Sequence, residues 1–200
     1  CLESAARHLD WKARRGKHRA KHRGVGMASL VHVGGSGRIY KSDGGGVILK
    51  LDDYGTVNVF YGGVEMGQGL HSALVIGVAE AVGVTPDKVV INPTDTGTCP
   101  WDVGTHASRG AFIALNAAIR AADKVRKKIF ALATEIFEQE VKQNLAALRK
   151  KDPGLRTAKV DFTALIAPDA FELRGGWLTL RGAPDEPWLR LELGRFLRAI

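Results

Sequence analysis

Alternating apolar and polar positions predict several short strands in the first half of the chain. Residues 56–61 show this alternation, Val47–Leu51 is a run with β-branched side chains, and residues 52–55 between them are a turn sequence that ends in Gly. We therefore expect a β-hairpin here. Residues 24–33 predict a buried strand of small side chains, and residues 88–92 predict another short strand.

Apolar residues at every fourth position predict one helix, and a long apolar stripe predicts a second. The first covers Leu70–Val82, with Gly83 as its C-terminal cap. The second runs from about residue 108 to about residue 150, and the sequence Asp-Pro-Gly at 152–154 ends it. The apolar stripe of this second helix consists of Leu115, Ile119, Ala122, Val125, Ile129, Leu132, Ile136, Val141, Leu145 and Leu148.

The last part of the chain predicts a second hairpin. Two apolar runs, 171–173 and 177–180, are joined at Gly175-Gly176, and residues 189–200 form a short amphipathic segment. Because strands and helices alternate, we predict an α+β fold with a mixed sheet and hairpins covered by two helices. Its predicted parts are a basic helical or extended arm over residues 1–23, a main domain over 24–150, and a C-terminal part over 151–200.

Composition and charge narrow the class of protein. With 45% hydrophobic and 25% charged residues, the chain has the composition of a folded protein. Of the net charge of +8, residues 1–24 carry eight Lys or Arg against two acidic residues, or +6. The Lys and Arg side chains of this arm could neutralise the phosphates of a nucleic acid, so a non-catalytic nucleic-acid-binding module is the alternative function. The arm has no aromatic residue for base stacking beyond Trp11, which favours a solvated face or a subunit contact.

The number of cysteines and the hydropathy of the chain indicate the cellular compartment. Cys1 and Cys99 are too few for a disulfide scaffold or a four-cysteine metal site, and they fit a reducing, cytoplasmic compartment. No apolar run approaches the roughly 18 residues of a membrane span, so no membrane partner is expected. His18 and His22 have the spacing of a helical zinc pair but lack the intervening Glu of a metalloprotease.

Two glycine-containing loops open the two predicted helices. Gly67-Gln68-Gly69 precedes the first helix, and residues 104–110 precede the second. A helix N-terminus offers free backbone N–H groups and partial positive charge to an anion. Ser108 could cap the second helix, and the Arg109 guanidinium suits a phosphate. Neither loop matches the P-loop or the dinucleotide fingerprint, and both are compatible with plain turns.

These same residues carry a family resemblance. Residues 62–71 (GGVEMGQGLH) resemble the pterin-cofactor loop of the xanthine oxidase family of molybdenum hydroxylases. Residues 94–96 (TDT) and 104–110 (GTHASRG), followed by Asn116-Ala117-Ala118, resemble the second cofactor segment of that family. The order and the separation of about 40 residues also fit. Within the family, the chain resembles most the molybdenum subunit of 4-hydroxybenzoyl-CoA reductase, and the similarity covers residues 1–150.

The resemblance implies a cofactor, a reaction and partners. The cofactor would be molybdenum–molybdopterin, usually in the cytosine dinucleotide form, with the metal held by the pterin and not by the protein. The reaction would be a two-electron step at an aromatic, heterocyclic or aldehyde carbon of a small-molecule substrate. Electrons would pass to 2Fe-2S clusters and often to FAD on partner subunits, beside the remainder of the molybdenum subunit. Residues 24–150 would be the molybdopterin-binding domain.

The resemblance also assigns site residues and shows gaps. The residues expected to bind the cofactor are Met66, Gly67, Gln68, Gly69, Thr105, Ala107, Ser108 and Arg109. The family's catalytic Glu in a Gly-rich context and its Gly-Gly-Phe-Gly segment are missing, and Glu65 does not replace that Glu. We therefore expect an internal piece of a larger subunit that is inactive alone. His71 and His106 fit a cofactor contact or a structural role equally, and Asp95, Asp102 and Cys99 fit structural roles.

Overall fold

A computed structural model describes residues 1–16, 22–35, 43–151, 168–181 and 190–199, without the side chains of 140–142, 144–149 and 151. The chain divides into two compact units, residues 1–34 and residues 35–200. The first unit contains helices α1 (Leu2–His8) and α2 (Trp11–Arg14), which have no buried residue. Between them Asp10 takes a left-handed φ of 48°, and this breaks the helical course.

The predicted strand over residues 24–33 is wrong. These residues have no regular secondary structure, and the side chains of Leu30 and Val31 are 85% and 95% exposed. A strand is stable only when another strand takes up its backbone hydrogen bonds. Within the described residues of the first unit no strand is present to do so, which explains why an apolar run does not become a strand here.

The second unit begins with a mixed three-stranded sheet. Strands β1 (Val47–Leu51) and β2 (Val57–Tyr61) pair antiparallel, and β2 pairs parallel with β3 (Val89–Ile91). In the predicted hairpin turn, the carboxylate of Asp52 accepts hydrogen bonds from the backbone N–H groups of Tyr54 and Thr56, at 2.9 Å each. The predicted hairpin and the α+β class are therefore confirmed.

Two helices cover one face of this sheet. Helix α3 (Leu70–Val82) buries its predicted stripe, and Gly83 ends it with a left-handed φ of 97°. Helix α4 (Gly110–Lys151) packs on α3 so closely that a Cβ on Gly77 would overlap the side chain of Leu115. The buried residues that allow this approach are small, with Ala114, Ala118 and Ala122 spaced by four.

The predicted stripe of α4 is partly correct. Ala122 and Ile129 are buried, and Leu115, Val125, Leu132 and Ile136 pack against the core. Ile119 is 52% exposed, so its place in the stripe is wrong. The buried face runs through Ala118 instead, because the close approach to α3 selects the smallest side chains. Val141, Leu145 and Leu148 lie outside the side chains that the structure describes.

A second, antiparallel sheet extends the same core. It contains β4 (Phe171–Arg174), β5 (Trp177–Leu180) and β6 (Leu191–Glu192), followed by helix α5 (Leu193–Arg198). The predicted turn at Gly175-Gly176 is confirmed, and Phe171 packs against Phe130 and Phe137 of α4. Among the described helices none is both long enough and apolar enough to cross a membrane.

Candidate functional site

The two loops singled out in the sequence leave the same edge of the first sheet. The first loop, residues 62–69, follows β2, and the second loop, residues 93–109, comes after β3. Because β2 and β3 are parallel, their carboxyl ends lie at one edge of the sheet. Ligands of sheets with parallel strands are commonly bound at this edge. The topology therefore brings the two loops together although the 23 residues of 70–92 lie between them.

The N-termini of the two long helices lie side by side. A Cβ on Gly110, where α4 begins, would be 3.3 Å from Cδ2 of Leu70, where α3 begins. Toward the other end, the Arg126 guanidinium lies 3.5 Å from the Ala81 carbonyl oxygen. These pairs occur in the same order along both helices, so the helices run parallel. Their partially positive ends consequently meet at the two loops.

Direct hydrogen bonds join the two loops. The Thr105 hydroxyl accepts a hydrogen bond from the Val64 N–H at 2.7 Å and lies 3.3 Å from the Val64 carbonyl oxygen. The Thr94 hydroxyl donates to the carbonyl oxygen of Gly63 at 2.9 Å. The hydroxyls of the second loop thus position the backbone of the first.

Glu65 caps helix α3 from within the first loop. Its carboxylate accepts hydrogen bonds from the N–H groups of Gly67 at 2.7 Å, Gly69 at 3.0 Å and His71 at 2.9 Å. These bonds, with that from His71 as the largest cause, lower the pKa of Glu65 below its ordinary value. The positive end of α3 therefore already holds a carboxylate that belongs to the protein.

Gln68 and Met66 complete the first loop. The Gln68 amide donates to the Val64 carbonyl oxygen at 2.9 Å and accepts from the Met66 N–H at 2.5 Å. The Met66 side chain is 68% exposed, and Gly67 and Gly69 have left-handed φ values of 93° and 82°. The loop thus holds its shape through its own side chains, while the four predicted residues 66–69 form its exposed surface.

Arg109 is buried beneath the second loop. Its guanidinium forms ion pairs with Asp43 and Asp102 and donates to the carbonyl oxygens of Gly44 and Gly104, at 2.7 Å each. Burial disfavours the charged form, but the hydrogen bonds to Asp102 and Asp43 outweigh this cost and raise the pKa of Arg109. The side chain expected to face a phosphate is instead surrounded by protein acceptors.

The start of α4 differs from the expectation for Ser108. Ser108 is not the helix N-cap, because α4 begins at Gly110. Ser108 and Ala107 have left-handed φ values of 51° and 50°, a conformation that costs a non-glycine residue about 1–3 kcal/mol. Such strain is typical of functional sites. The Ala107 carbonyl oxygen accepts a hydrogen bond from the Gly35 N–H at 2.7 Å.

The first turn of α4 offers free donors. Within the described residues, no protein group accepts a hydrogen bond from the backbone N–H groups of Gly110, Ala111 and Phe112. Neither helix contains an acidic residue in its first turn, but at α3 the Glu65 carboxylate of the first loop accepts hydrogen bonds from the helix start. Such N–H groups, together with the helix dipole, bind anions. Of the two helix starts, α4 is therefore the one whose first N–H groups are not already bonded to a carboxylate of the described residues.

Tyr61, at the end of β2, is buried between the loops. Its hydroxyl has no hydrogen-bond partner among the described residues, and its ring meets that of His71 edge-on at 5.9 Å. Burial is the main cause that raises the pKa of Tyr61 to about 12, with the charges of Glu65, Asp102 and Cys99 adding to it. The phenol is therefore a neutral group under the site.

Several residues of the site were missed in the sequence. Asp43 has no local signal, because its partner Arg109 lies 66 positions further along the chain. Tyr61 was predicted only as a residue of the strand over 56–61. The Gly44-Gly45-Gly46 run was a signal that could have been read. A Cβ on Gly46 would lie 2.8 Å from Pro100, and one on Gly45 would overlap Asp102, so this segment must lack side chains to contact the second loop.

The remaining candidate residues have structural surroundings. Asp95 accepts a hydrogen bond from the Gly97 N–H at 2.6 Å, and the Cys99 thiol lies 3.8 Å from the Pro93 carbonyl oxygen. Asp102 combines its turn role, a hydrogen bond from the Gly104 N–H at 2.8 Å, with the ion pair to Arg109. Across the described ranges no three His, Cys, Asp or Glu side chains form a metal-binding group. His18, of the proposed zinc pair, lies outside these ranges.

The fold is an α+β domain in which the two loops lie next to free backbone donors at the start of α4. Comparison with known proteins identifies the family. A model of the molybdopterin cofactor-binding domain matches residues 3–182, so the chain belongs to this family. The resemblance to the xanthine oxidase family, noted from the two motifs, is confirmed.

Three relatives illustrate the similarity. The xanthine dehydrogenase molybdenum-binding subunit of Escherichia coli O157:H7 is 31% identical in an alignment of 192 positions that covers 90% of this chain and 25% of that protein. Subunit gamma of the 6-hydroxypseudooxynicotine dehydrogenase complex of Paenarthrobacter nicotinovorans is 34% identical over 68% of this chain and 17% of its own length.

The third relative is a solved structure. Quinoline 2-oxidoreductase from Pseudomonas putida 86 superposes with a TM-score of 0.58 and 22% identity, over 78% of this chain and 16% of that one. This likeness shows the fold. The chain spans about a quarter of the length of the E. coli relative that it matches.

Proposed function

We propose that this chain forms part of the site that holds molybdenum–molybdopterin in a xanthine-dehydrogenase-type oxidoreductase. The observation that supports this most is the row of free N–H groups at Gly110, Ala111 and Phe112, beside the exposed first loop. A large anionic cofactor needs such donors, and the residues present fit it. When bound, the cofactor supplies the two-electron redox chemistry, and the protein supplies position and electrostatics.

The predicted site residues divide into two roles. The exposed surface of the first loop and the strained turn of the second are the proposed contacts: Met66, Gly67, Gln68, Gly69, Thr105, Ala107 and Ser108. The Thr105 hydroxyl also accepts a hydrogen bond from the first loop, so it contacts the cofactor through its remaining hydrogen-bonding capacity. Arg109 belongs to the site as an internal support, because its guanidinium is buried.

The activity of the whole protein is proposed at the level of the family. We propose oxidation or reduction at an aromatic, heterocyclic or aldehyde carbon, with the cofactor in the cytosine dinucleotide form. The names of the relatives, which refer to xanthine, quinoline and 6-hydroxypseudooxynicotine, support a heterocyclic substrate class. The name of the gamma subunit supports a multi-subunit complex, in which iron–sulfur and FAD partners would accept electrons.

The position and setting of the domain are proposals as well. We place the molybdopterin-binding domain at residues 24–150, with a basic arm before it and the second hairpin after it. A cytoplasmic location follows from the two free cysteines, which fit a reducing compartment.

Substitution of Gln68 tests the proposed function. In the full-length protein purified with its complex, Gln68→Ala removes the amide that shapes the exposed first loop. We expect less molybdenum and less pterin per complex than in the wild type. Gln143→Ala, at an exposed position far along α4, is the matched control and retains both. Equal cofactor content in Gln68→Ala and Gln143→Ala would contradict the assignment.

A further inference from the structure

The positive charge of Arg109 is neutralised by ion pairs inside the protein. Two carboxylates, Asp43 and Asp102, pair with one guanidinium. Within the described part of the chain, the guanidinium also donates to the carbonyl oxygens of Gly44 and Gly104. A phosphate would therefore have to compete with two carboxylates of the protein for this guanidinium. Arg109 therefore does not provide the anion site by its own charge.

The same side chain spans the strained turn of the second loop. Its contact with Gly104 lies before the left-handed pair Ala107-Ser108, and its own backbone lies directly after that pair. The turn is thus fixed at both ends by one group. The Arg109 N–H also donates to the His106 carbonyl oxygen at 3.2 Å, which closes the turn across the pair.

A segment far away in the chain completes the clamp. Asp43 and Gly44 precede β1 and lie more than sixty positions before Arg109. The Gly44 carbonyl oxygen also accepts a hydrogen bond from the Val103 N–H at 3.2 Å, so the segment contacts the second loop twice. The strained turn is thus held by contacts with a distant segment in addition to its local hydrogen bonds.

From this arrangement we infer that Arg109 is a positioning residue for cofactor binding. It fixes the strained turn and thereby the direction in which the free N–H groups of Gly110, Ala111 and Phe112 point. The inference rests on the proposed function and names how that site is built. Asp43 and Asp102 share this role, because they hold the guanidinium in place.

Substitution of Asp43 distinguishes positioning from direct phosphate binding, because the two accounts predict opposite signs. Asp43→Asn removes one negative charge from the cluster. If Arg109 bound the cofactor directly, this change would leave retention equal or raise it. If Arg109 positions the turn, the change loosens the clamp and lowers the fraction of complexes that retain cofactor after dialysis, by about tenfold, as for other supporting residues. Arg109→Lys, which keeps the charge but not the planar fork, should lower it similarly.

Two controls separate positioning from a general loss of stability. Val78→Ala, in the core of α3, provides a variant whose melting temperature is lowered by a change outside both loops. Arg126→Lys changes an arginine elsewhere on α4. The inference predicts that both controls retain cofactor, while Asp43→Asn and Arg109→Lys lose it. The measurements are molybdenum and pterin per full-length complex, with the melting temperature of each variant.

The outcomes are distinct. Wild-type complex without molybdopterin would refute the proposed function itself. Wild-type complex that contains it, together with unchanged retention in Asp43→Asn and Arg109→Lys, would overturn the positioning role only. Equal losses in Val78→Ala and in the two clamp variants would also overturn it, because the effect would then be general destabilisation.

Discussion

Thr105 is the residue at which the contact between the two loops can be broken most cleanly. Its hydroxyl accepts a hydrogen bond from the Val64 N–H at 2.7 Å and lies 3.3 Å from the Val64 carbonyl oxygen. Thr105→Val keeps the shape of the side chain and removes both interactions. The change therefore tests whether the second loop holds the first.

The structure gives the size of the effect. Each hydrogen bond contributes about 0.5–1.5 kcal/mol net, and the longer of the two contributes least. Val64 is 50% exposed, so water replaces part of the lost bonding. We expect the first loop to lose about 1 kcal/mol of local stability, which corresponds to roughly fivefold more frequent opening.

Hydrogen exchange of the Val64 N–H, in the full-length protein within its complex, measures this opening. Thr105→Val should exchange about fivefold faster at this position and should retain less cofactor. Thr98→Val is the control, because the Thr98 hydroxyl lies 3.9 Å from the Cys99 sulfur and forms no hydrogen bond to the described residues of the first loop. Unchanged exchange at Val64 in Thr105→Val would refute the contact between the loops.

Three further predictions follow from single residues. Tyr61→Phe removes a buried hydroxyl without a described partner, so unfolding in denaturant should show unchanged or slightly higher stability; a loss above about 1 kcal/mol would contradict this. The folded pKa of Glu65 lies below its ordinary value of 4.5, so the cap that its carboxylate forms is complete above pH 4.5 and is lost as the pH falls through the lowered pKa. Hydrogen exchange of the His71 N–H, corrected for its intrinsic rate, should therefore rise only below pH 4.5. A midpoint of this rise at or above pH 4.5 would refute the cap. Ala111→Pro removes one free N–H from the first turn of α4, where proline is tolerated. Cofactor retention should fall, while the helix content measured by circular dichroism stays unchanged. Full retention of the cofactor would contradict the anion site.

Local patterns were sufficient for the regular elements. The hairpin of β1 and β2, helix α3 with its cap at Gly83, and the turn at Gly175-Gly176 each depend on residues near one another in the chain. The two loops were also visible, because glycine before a helix is a local signal. These features are decided by alternation, four-residue spacing and glycine conformation, all of which a single sequence displays.

Features that depend on distant partners could not be predicted. The Arg109 side chain was assigned to a phosphate, because its sequence neighbours do not show that Asp43 reaches it. Ile119 was assigned to the core, because the face of α4 is chosen by how closely α3 approaches. Residues 24–33 have the apolar content of a strand but no described partner in their own unit. In each case tertiary packing decides the outcome.

The most direct test is the structure of the full-length protein with its cofactor, with the metal located by anomalous scattering. The account predicts that an oxygen of the cofactor's phosphate lies about 2.7–3.2 Å from the N–H groups at the start of α4, with the first loop against the pterin. Cofactor located elsewhere, with Gly110, Ala111 and Phe112 facing only water, would contradict it.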